Sequence, residues 1–546
     1  MNTKTLGTRW QSLPEETLRR LQAKKLRGYL RDVVLPHSVR SRRLFQEAGV
    51  TADSIRSLAD LARLPFSSKA DLVNTPEEPQ KSREFILVPD RRALGRRPGT
   101  ILRALALGKE AVRKRFEREF RPIFLTSTTG RSADPIPFVY TRHDLDNLAS
   151  AGRRLFEVCG ARPEMRMLNM FPFAPHLAFW QTHYGGEAFG VFVVGTGGGK
   201  VMGTDGNRRM AAKLRPDVLI GMPTFVYHLL HEAVGHGERL EGLRKIVLGG
   251  EKVPEGMRRK LRELTLRLGA PGVDIVSTYG FTEAKTAWAE CPFPEGRESG
   301  GFHLYPDLGL FEVIDPKTLQ PVADGNPGEL VYTPLDARGS VALRYRTGDF
   351  IDGGLTHEPC PHCGRRTPRL VGRISRHSEI REMRLDKIKG ALVDFNELEH
   401  ALDDAPGIGA WQIELRKRHD DPLELDEVVL HVHGRGVGRR EIMAEELSRR
   451  IASRTEIRPN DVVFHSAREM RELQGVGVEL KERRLLDRRP VVTAKTSRNR
   501  QASVPVVPST VASRKRIASA RHHRGSVAVA NPAAACRVST TEKEAG

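Results

Sequence analysis

Long apolar runs are missing from this chain. Among its 546 residues no stretch approaches the roughly 20 consecutive apolar residues that a membrane span requires, so no membrane partner is expected. The opening segment, MNTKTLGTRWQSLPEETLRRLQ, has no apolar core, and no secretory signal is expected. Cysteine is scarce. Five residues, one of them Cys536 near the end, are too few for a disulfide framework and fit a reducing, cytoplasmic setting. Internal repeats are absent, and so is a phosphate loop ending in GK[ST]. Acidic residues are outnumbered: 89 Lys and Arg against 68 Asp and Glu give a formal net charge of +21. That sign suits nucleic acid, a membrane surface or anionic small molecules. The arginines, however, are scattered through most segments and concentrated only in the tail, as on a solvated surface. No recognition helix, repeated finger or RNP-like aromatic strand accompanies them, so nucleic acid is not an expected partner.

The texture of the sequence divides it. Residues 12–80 carry helical spacing, with Leu18 and Leu21 at i, i+3 and Leu26 and Leu30 at i, i+4. A helix in RRLFQEAGV ends at Gly49, and a further helix is predicted over SIRSLADLARL, residues 54–64. Residues 85–121 read as Arg- and Lys-rich exposed helix and loop. From Ile123 onward come short apolar runs closed by glycine, IFLTSTTG, MLNMFPFAP, GVFVVGTGGG, DVLIGMP, KIVLGGE and DIVSTYG, with helical stretches between several of them. This alternation predicts an α/β fold with mostly parallel sheets. FEVIDP, GELVYTPL and VALRYRTGD predict a β-rich subdomain. The expected organisation is a large N-terminal domain over 1–375, a small α+β domain over 376–490, and a disordered basic tail over 491–546.

Four motifs occur in order. Thr126-Ser127-Thr128-Thr129-Gly130-Arg131 follows an apolar run, and hydroxyls, backbone N–H groups and an arginine suit a phosphate. Ser277-Thr278-Tyr279-Gly280-Phe281-Thr282-Glu283 comes next, then Tyr345-Arg346-Thr347-Gly348-Asp349, then Gly372-Arg373-Ile374-Ser375-Arg376. Each alone is unremarkable, since Glu283 by itself reads as a surface acid and Asp349 as a turn residue.

The order and separations of the four resemble those of the acyl-adenylate-forming superfamily, and within it the phenylacetate–CoA ligase-like branch. GTGGGK followed by LRPDVLIGMPT, GFHLYPDLGLFEVIDP and a late KERRLLDRRP resemble the same branch, over residues 13–490. The resemblance implies activation of a carboxylic acid by ATP and transfer of the acyl group to CoA, or to the phosphopantetheine of a carrier protein. It also implies a mobile small domain; a homodimer is an additional expectation. Thr128, Thr129, Gly130 and Arg131 would hold phosphates. Tyr279, with Gly280 beside it, would stack on adenine; Thr282 would touch the α-phosphate and Glu283 would hold Mg²⁺. Gly249, Gly250 and Glu251 would line adenine, Asp349 would take the ribose hydroxyls, and Arg376 would contact ribose or phosphate. Lys481 would bridge the acid and the α-phosphate. The acid pocket would draw on residues 171–180, with Phe173, His176, Phe179 and Trp180, on 195–199 and on 221–224, suiting an aromatic or otherwise apolar acid. The chain departs from the family at Ser127, where glycine is usual and a positive φ is in question. It departs again at the inserted Ser132-Ala133-Asp134, and at the hinge Arg376-His377-Ser378-Glu379, where many relatives carry aspartate.

Cys360-Pro361-His362-Cys363 is a CxxC knuckle, with Cys291 and His303 upstream. Three thiolates and an imidazole are a structural zinc set, with His357 and His362 as substitutes for His303. Cys159 is expected in a core. Two other readings remain: a basic zinc-containing nucleic-acid binder, and an inactive relative used as a binding protein.

Overall fold

The structure is a computed structural model that describes residues 12–90, 94–128, 135–173, 177–376, 380–385, 388–420, 424–434, 440–455, 457–476 and 482–489, with backbone alone over 380–385, 388–394, 396–397, 420 and 454. Two compact units partition the chain, Met1–Pro490 and Val491–Gly546, and every described residue lies in the first. The expected tail lies outside the described residues.

Helix α1, Glu15–Tyr29, turns Leu18, Gln22, Leu26 and Tyr29 inward, the i, i+4 stripe that its sequence carries. Helix α2, Val39–Glu47, starts where the Ser38 side chain accepts from the Ser41 N–H, and the chain leaves it through Gly49 at φ +62°. The helix predicted over residues 54–64 does not form; two short 3₁₀ turns, Ala52–Ser54 and Ala59–Arg63, stand there. Asp60 Oδ2 accepts from the N–H groups of Arg56 and Ser57 and from the Ser57 hydroxyl, satisfying donors locally in a non-helical turn. Helices α3, Pro98–Leu107, and α4, Lys109–Phe120, follow.

The short apolar runs become strands. β1, Phe124–Ser127, and β2, Pro137–Tyr140, make an antiparallel hairpin. The main sheet joins β3, Arg166–Asn169, β4, Phe192–Gly195, β5, Val218–Gly221, β6, Lys245–Leu248, and β7, Asp274–Phe281, in the parallel order β4-β3-β5-β6-β7. Every residue of β5 and β6 is buried, as expected of parallel strands covered on both faces. Between strands run α5, Arg142–Val158, α6, Leu177–Phe189, α7, Gly199–Leu214, α8, Pro223–Gly235, and α9, Glu255–Arg267. Beyond β7 the sheet turns antiparallel through β8, Thr286–Ala289, and β9, Phe302–His303.

A second sheet is antiparallel: β10, Gly309–Ile314, β11, Gly328–Pro334, β12, Tyr345–Ile351, and β15, Ile374–Arg376. Between its last two strands lie β13, Leu355–Thr356, and β14, Arg369–Leu370, which extend the main sheet past β9. The hairpin of β16, Ile380–Leu385, and β17, Ile388–Asp394, leads into α10, Phe395–Asp403. The remaining elements are β18, Ile408–Lys417, β19, Asp426–Gly434, α11, Arg440–Thr455, β20, Asp461–Phe464, α12, Ala467–Gln474, and β21, Leu485–Asp487. Their sheet runs β20-β19-β18-β21, with its own core around Phe395, Trp411, Leu430 and Ile451.

Candidate active site

The carboxyl ends of β5, β6 and β7 lie side by side, the usual place for a ligand in a parallel sheet. Two glycines shape this edge. A Cβ on Gly249 would lie 2.2 Å from Thr278 Oγ1, and Gly250 has φ +83°. Thr278 Oγ1 donates to the Leu248 carbonyl at 3.0 Å, tying the end of β6 to β7. Gly280 is set by packing: a Cβ there would meet that of Ala287 across the β7–β8 pair at 2.4 Å.

Three of the four motifs meet here. The β12–β15 register places Asp349 opposite Arg376. Asp349 Oδ1 lies 2.9 Å from Arg376 Nε, and Oδ2 accepts from the Tyr279 hydroxyl at 2.8 Å. The Asp349 carboxylate raises the pKa of the Arg376 guanidinium. Burial, followed by the Asp349 charge, pushes the Tyr279 phenol well up. The Tyr279 ring packs 5.8 Å from those of Phe281 and Phe302. Glu283 lies in the 3₁₀ turn Thr282–Ala284 just after β7, and its Oε1 accepts from the Tyr345 hydroxyl at 2.7 Å. Burial is the first cause of its raised pKa, so this carboxyl is no solvated surface acid. Tyr345 lies within a predicted motif, yet its partnership with Glu283 depends on strand register and has no signature in the sequence.

The hydroxyl-rich loop is only partly described. Ser127 is the last residue of β1, opposite Pro137, in extended backbone; the positive φ in question for that position does not arise. Thr128 continues the hairpin: its N–H donates to the Ile136 carbonyl at 3.1 Å, and its Oγ1 accepts from the Ile136 N–H at 3.0 Å. Thr129, Gly130 and Arg131 lie outside the described residues.

Glu251 follows the Gly-Gly turn, and its Oε2 accepts from the Thr224 hydroxyl at 3.0 Å and its N–H at 3.3 Å. Against it packs Glu482 from the C-terminal region. Burial and the Glu251 charge push the Glu482 carboxyl well up. Arg484 donates to Asp403 at 3.1 Å and to Thr224 Oγ1 at 3.3 Å, and lies over the Trp411 ring. A Cβ on Gly256 would strike the Asp403 carbonyl at 1.8 Å, and Lys252 Nζ lies 2.9 Å from Glu399 Oε2. Glu482 and Arg484 are contacts that the sequence reading missed; nothing in a run of charges marks an inward-facing acid. Lys481 lies outside the described residues, while its neighbour Glu482 sits at the end of β6.

The predicted pocket segments also converge. The Phe173 and Phe179 rings are 4.7 Å apart, edge to face, and Trp180 Nε1 donates to the Phe173 carbonyl at 2.9 Å. A Cβ on Gly195 would lie 2.8 Å from Phe179, and one on Gly197 2.4 Å from Phe173. The aromatic segment therefore rests directly on the glycine loop after β4. His176 lies outside the described residues.

A second cluster lies where β9 pairs with β14. One ligand atom from each of Cys291, His303, Cys360 and Cys363 falls within 4.8 Å of the others. Cys291 Sγ and Cys360 Sγ are 3.6 Å apart, as are Cys363 Sγ and His303 Nε2. A tetrahedral ion with ~2.3 Å bonds to sulfur holds its ligands about 3.6–3.8 Å apart, the spacing of these two pairs, so the four side chains could hold one metal ion. His303 Nδ1 lies 3.0 Å from Thr367 Oγ1, which fixes the ring with Nε2 toward the thiols. The substitutes are placed elsewhere: His357 Nδ1 meets Asp324 at 2.7 Å, and His362 Nε2 meets the Glu298 carbonyl at 2.9 Å. Cys159 is buried, its thiol pushed up to about 12 by desolvation, as a core residue.

Residues 142–334 match the family described as AMP-binding enzyme. The phenylacetate–coenzyme A ligase of Thermus thermophilus is 29% identical over 441 residues, covering 80% of this chain and 87% of that protein. The phenylacetate–coenzyme A ligase of Escherichia coli is 26% identical, covering 70% and 76%. Among solved structures, a 2-hydroxyisobutyryl-CoA ligase in the postadenylation state has the same fold, with a TM-score of 0.69 at 21% identity over 88% of this chain and 92% of that one. With the motifs placed as they are, residues 142–334 match the AMP-binding enzymes, and most of the chain is similar to phenylacetate–coenzyme A ligases.

Proposed function

We infer that this chain is an AMP-forming acid–thiol ligase. It activates a carboxylic acid with ATP, forming an acyl-adenylate and releasing diphosphate. It then passes the acyl group to the thiol of coenzyme A, releasing AMP. The observation that carries this reading is the meeting of three separate motifs: Asp349 bonds both Tyr279 and Arg376, and Glu283, close enough to feel the charges of Asp349 and Arg376, bonds Tyr345.

Each residue's chemistry supports a role. Asp349, an ionised acceptor, takes the two ribose hydroxyls, for which its bonds to Tyr279 and Arg376 hold it in place. Arg376 adds positive charge beside the nucleotide. Tyr279 and the Gly249-Gly250-Glu251 turn flank the base, and Thr282 reaches the α-phosphate with Thr128, Thr129, Gly130 and Arg131 on the outer phosphates. Glu283 supplies carboxylate oxygen to Mg²⁺, a hard cation whose charge would offset the burial that raises its pKa. Lys481 carries the acid–phosphate bridge; the burial of adjacent Glu482 beside Glu251 supports this placement. Phe173, Phe179 and Trp180 favour an aromatic or otherwise apolar acid. Cys291, His303, Cys360 and Cys363 hold a structural Zn²⁺ that leaves no open position for chemistry. A carrier-protein phosphopantetheine offers the same thiol as CoA and is the alternative acceptor.

The test is incubation with ATP, Mg²⁺, CoA and a panel of arylacetic and aliphatic acids, read by mass spectrometry. Acyl-CoA and AMP should appear in equal amounts with at least one apolar acid. Production of ADP in place of AMP would contradict the reading.

A further inference from the structure

Residues 91–121 take no part in the chemistry above, and they are strongly biased: eleven Arg and Lys against three Glu. Within them stands α3, ten residues of which none is buried. Its large apolar side chains face solvent. Leu102 is 66% exposed, Leu105 78% and Leu107 69%, with Ile101 about half exposed. Exposed leucines scattered singly are ordinary, but Ile101, Leu102 and Leu105, at i, i+1 and i+4, share one face of the helix, with Leu107 exposed near its end, and such a face calls for a partner. Helix α4 beside it buries only Phe120 and presents Arg113, Lys114, Arg115 and Arg118 to solvent. Arg113 and Arg115 pair with Glu110 and Glu119 in exposed contacts that screen easily and leave the segment's positive excess in place.

We propose that α3 and α4 form a docking surface for an anionic phospholipid membrane. Ile101, Leu102, Leu105 and Leu107 enter the boundary between headgroups and acyl chains, while the surrounding Arg and Lys meet lipid phosphates. Charge complementarity selects this occupant. A second copy would bring the same cations face to face. The 491–546 segment, with Glu542 and Glu544 as its only acids, has the same sign as the patch. A bilayer also accepts side chains that protrude from a helix without offering a shaped groove. No helix among the described residues is long and apolar enough to cross a membrane, so the attachment is to its surface.

The test is sedimentation of the full chain with phosphatidylcholine vesicles, with and without phosphatidylglycerol, at low and high salt. The chain should bind the anionic vesicles alone and leave them as salt rises. A variant with both Leu102→Glu and Leu105→Glu should lose about tenfold or more of this binding, since both introduced charges oppose insertion. Its acid-dependent ATP–diphosphate exchange should stay at the wild-type rate. Failure to bind either vesicle would overturn the proposal, and so would binding that the double substitution leaves intact. A dimer seen by light scattering and abolished by the same substitutions would assign the patch to a second copy and overturn it as well.

Discussion

At the scale of single residues, the site rests on carboxyl groups whose surroundings differ. Asp349 is held between a guanidinium and a phenol, whereas Glu283 accepts from the Tyr345 hydroxyl in a desolvated position. Burial raises the Glu283 pKa above its ordinary value. A carboxyl raised in the folded state contributes its full stability below the unfolded pKa and loses it as pH rises through the folded pKa. Glu283→Gln keeps an acceptor for Tyr345 and does not titrate. The ligand-free variant should therefore gain melting temperature over wild type as pH climbs from about 5 to 8, the two proteins differing only in that titration. A gap that stays constant across that range would show that Glu283 is not strained by burial. The acids themselves were legible in the sequence because each lies in a recognisable motif. Tyr345 as the partner of Glu283 was not, since a phenol's direction follows from strand register.

At the scale of elements, short apolar runs closed by glycine or proline were enough to announce β5 and β6, because parallel strands buried on both faces have no room for alternation. The same reasoning failed over residues 54–64, where apolar spacing suggested a helix but Asp60 took the backbone donors. The CxxC pair was legible from spacing, but the choice of His303 over His357 and His362 was not, because the ligands come from segments some 60–70 residues apart in sequence: Cys291 with Cys360, and His303 with Cys363. The cluster joins the loop after β8 and strand β9 to the loop before β14. One zinc per chain should survive dialysis, because metal affinity adds to the stability of the site it closes. Cys360→Ser should lower both the zinc content and the melting temperature. Metal analysis beside thermal unfolding checks both, and a zinc-free wild type that melts no lower than a zinc-loaded one would end the assignment.

At the scale of the whole molecule, the C-terminal region meets the end of the main sheet through Glu251, Glu482, Arg484 and Asp403. This seam was not legible, since contacts between distant segments leave no local pattern. Glu482, the residue after Lys481, is buried in it. A lysine that acts in adenylation alone should affect one half-reaction and spare the other. Lys481→Ala should fail with acid plus ATP, yet still convert supplied acyl-adenylate to thioester with CoA. Single-turnover thioester formation separates the two, and equal damage to both steps would make Lys481 a structural residue.

The central claim is that three motifs far apart in the chain build one adenylation site around Asp349 and Glu283. Acid-dependent ATP–diphosphate exchange tests it most directly, because exchange reports adenylate formation without the second half-reaction. The account predicts exchange in the wild type with an apolar acid. It predicts losses of roughly 10²–10³ in Asp349→Ala and in Glu283→Ala, the scale of removing one key electrostatic contact. Exchange at the wild-type rate in both variants would contradict it.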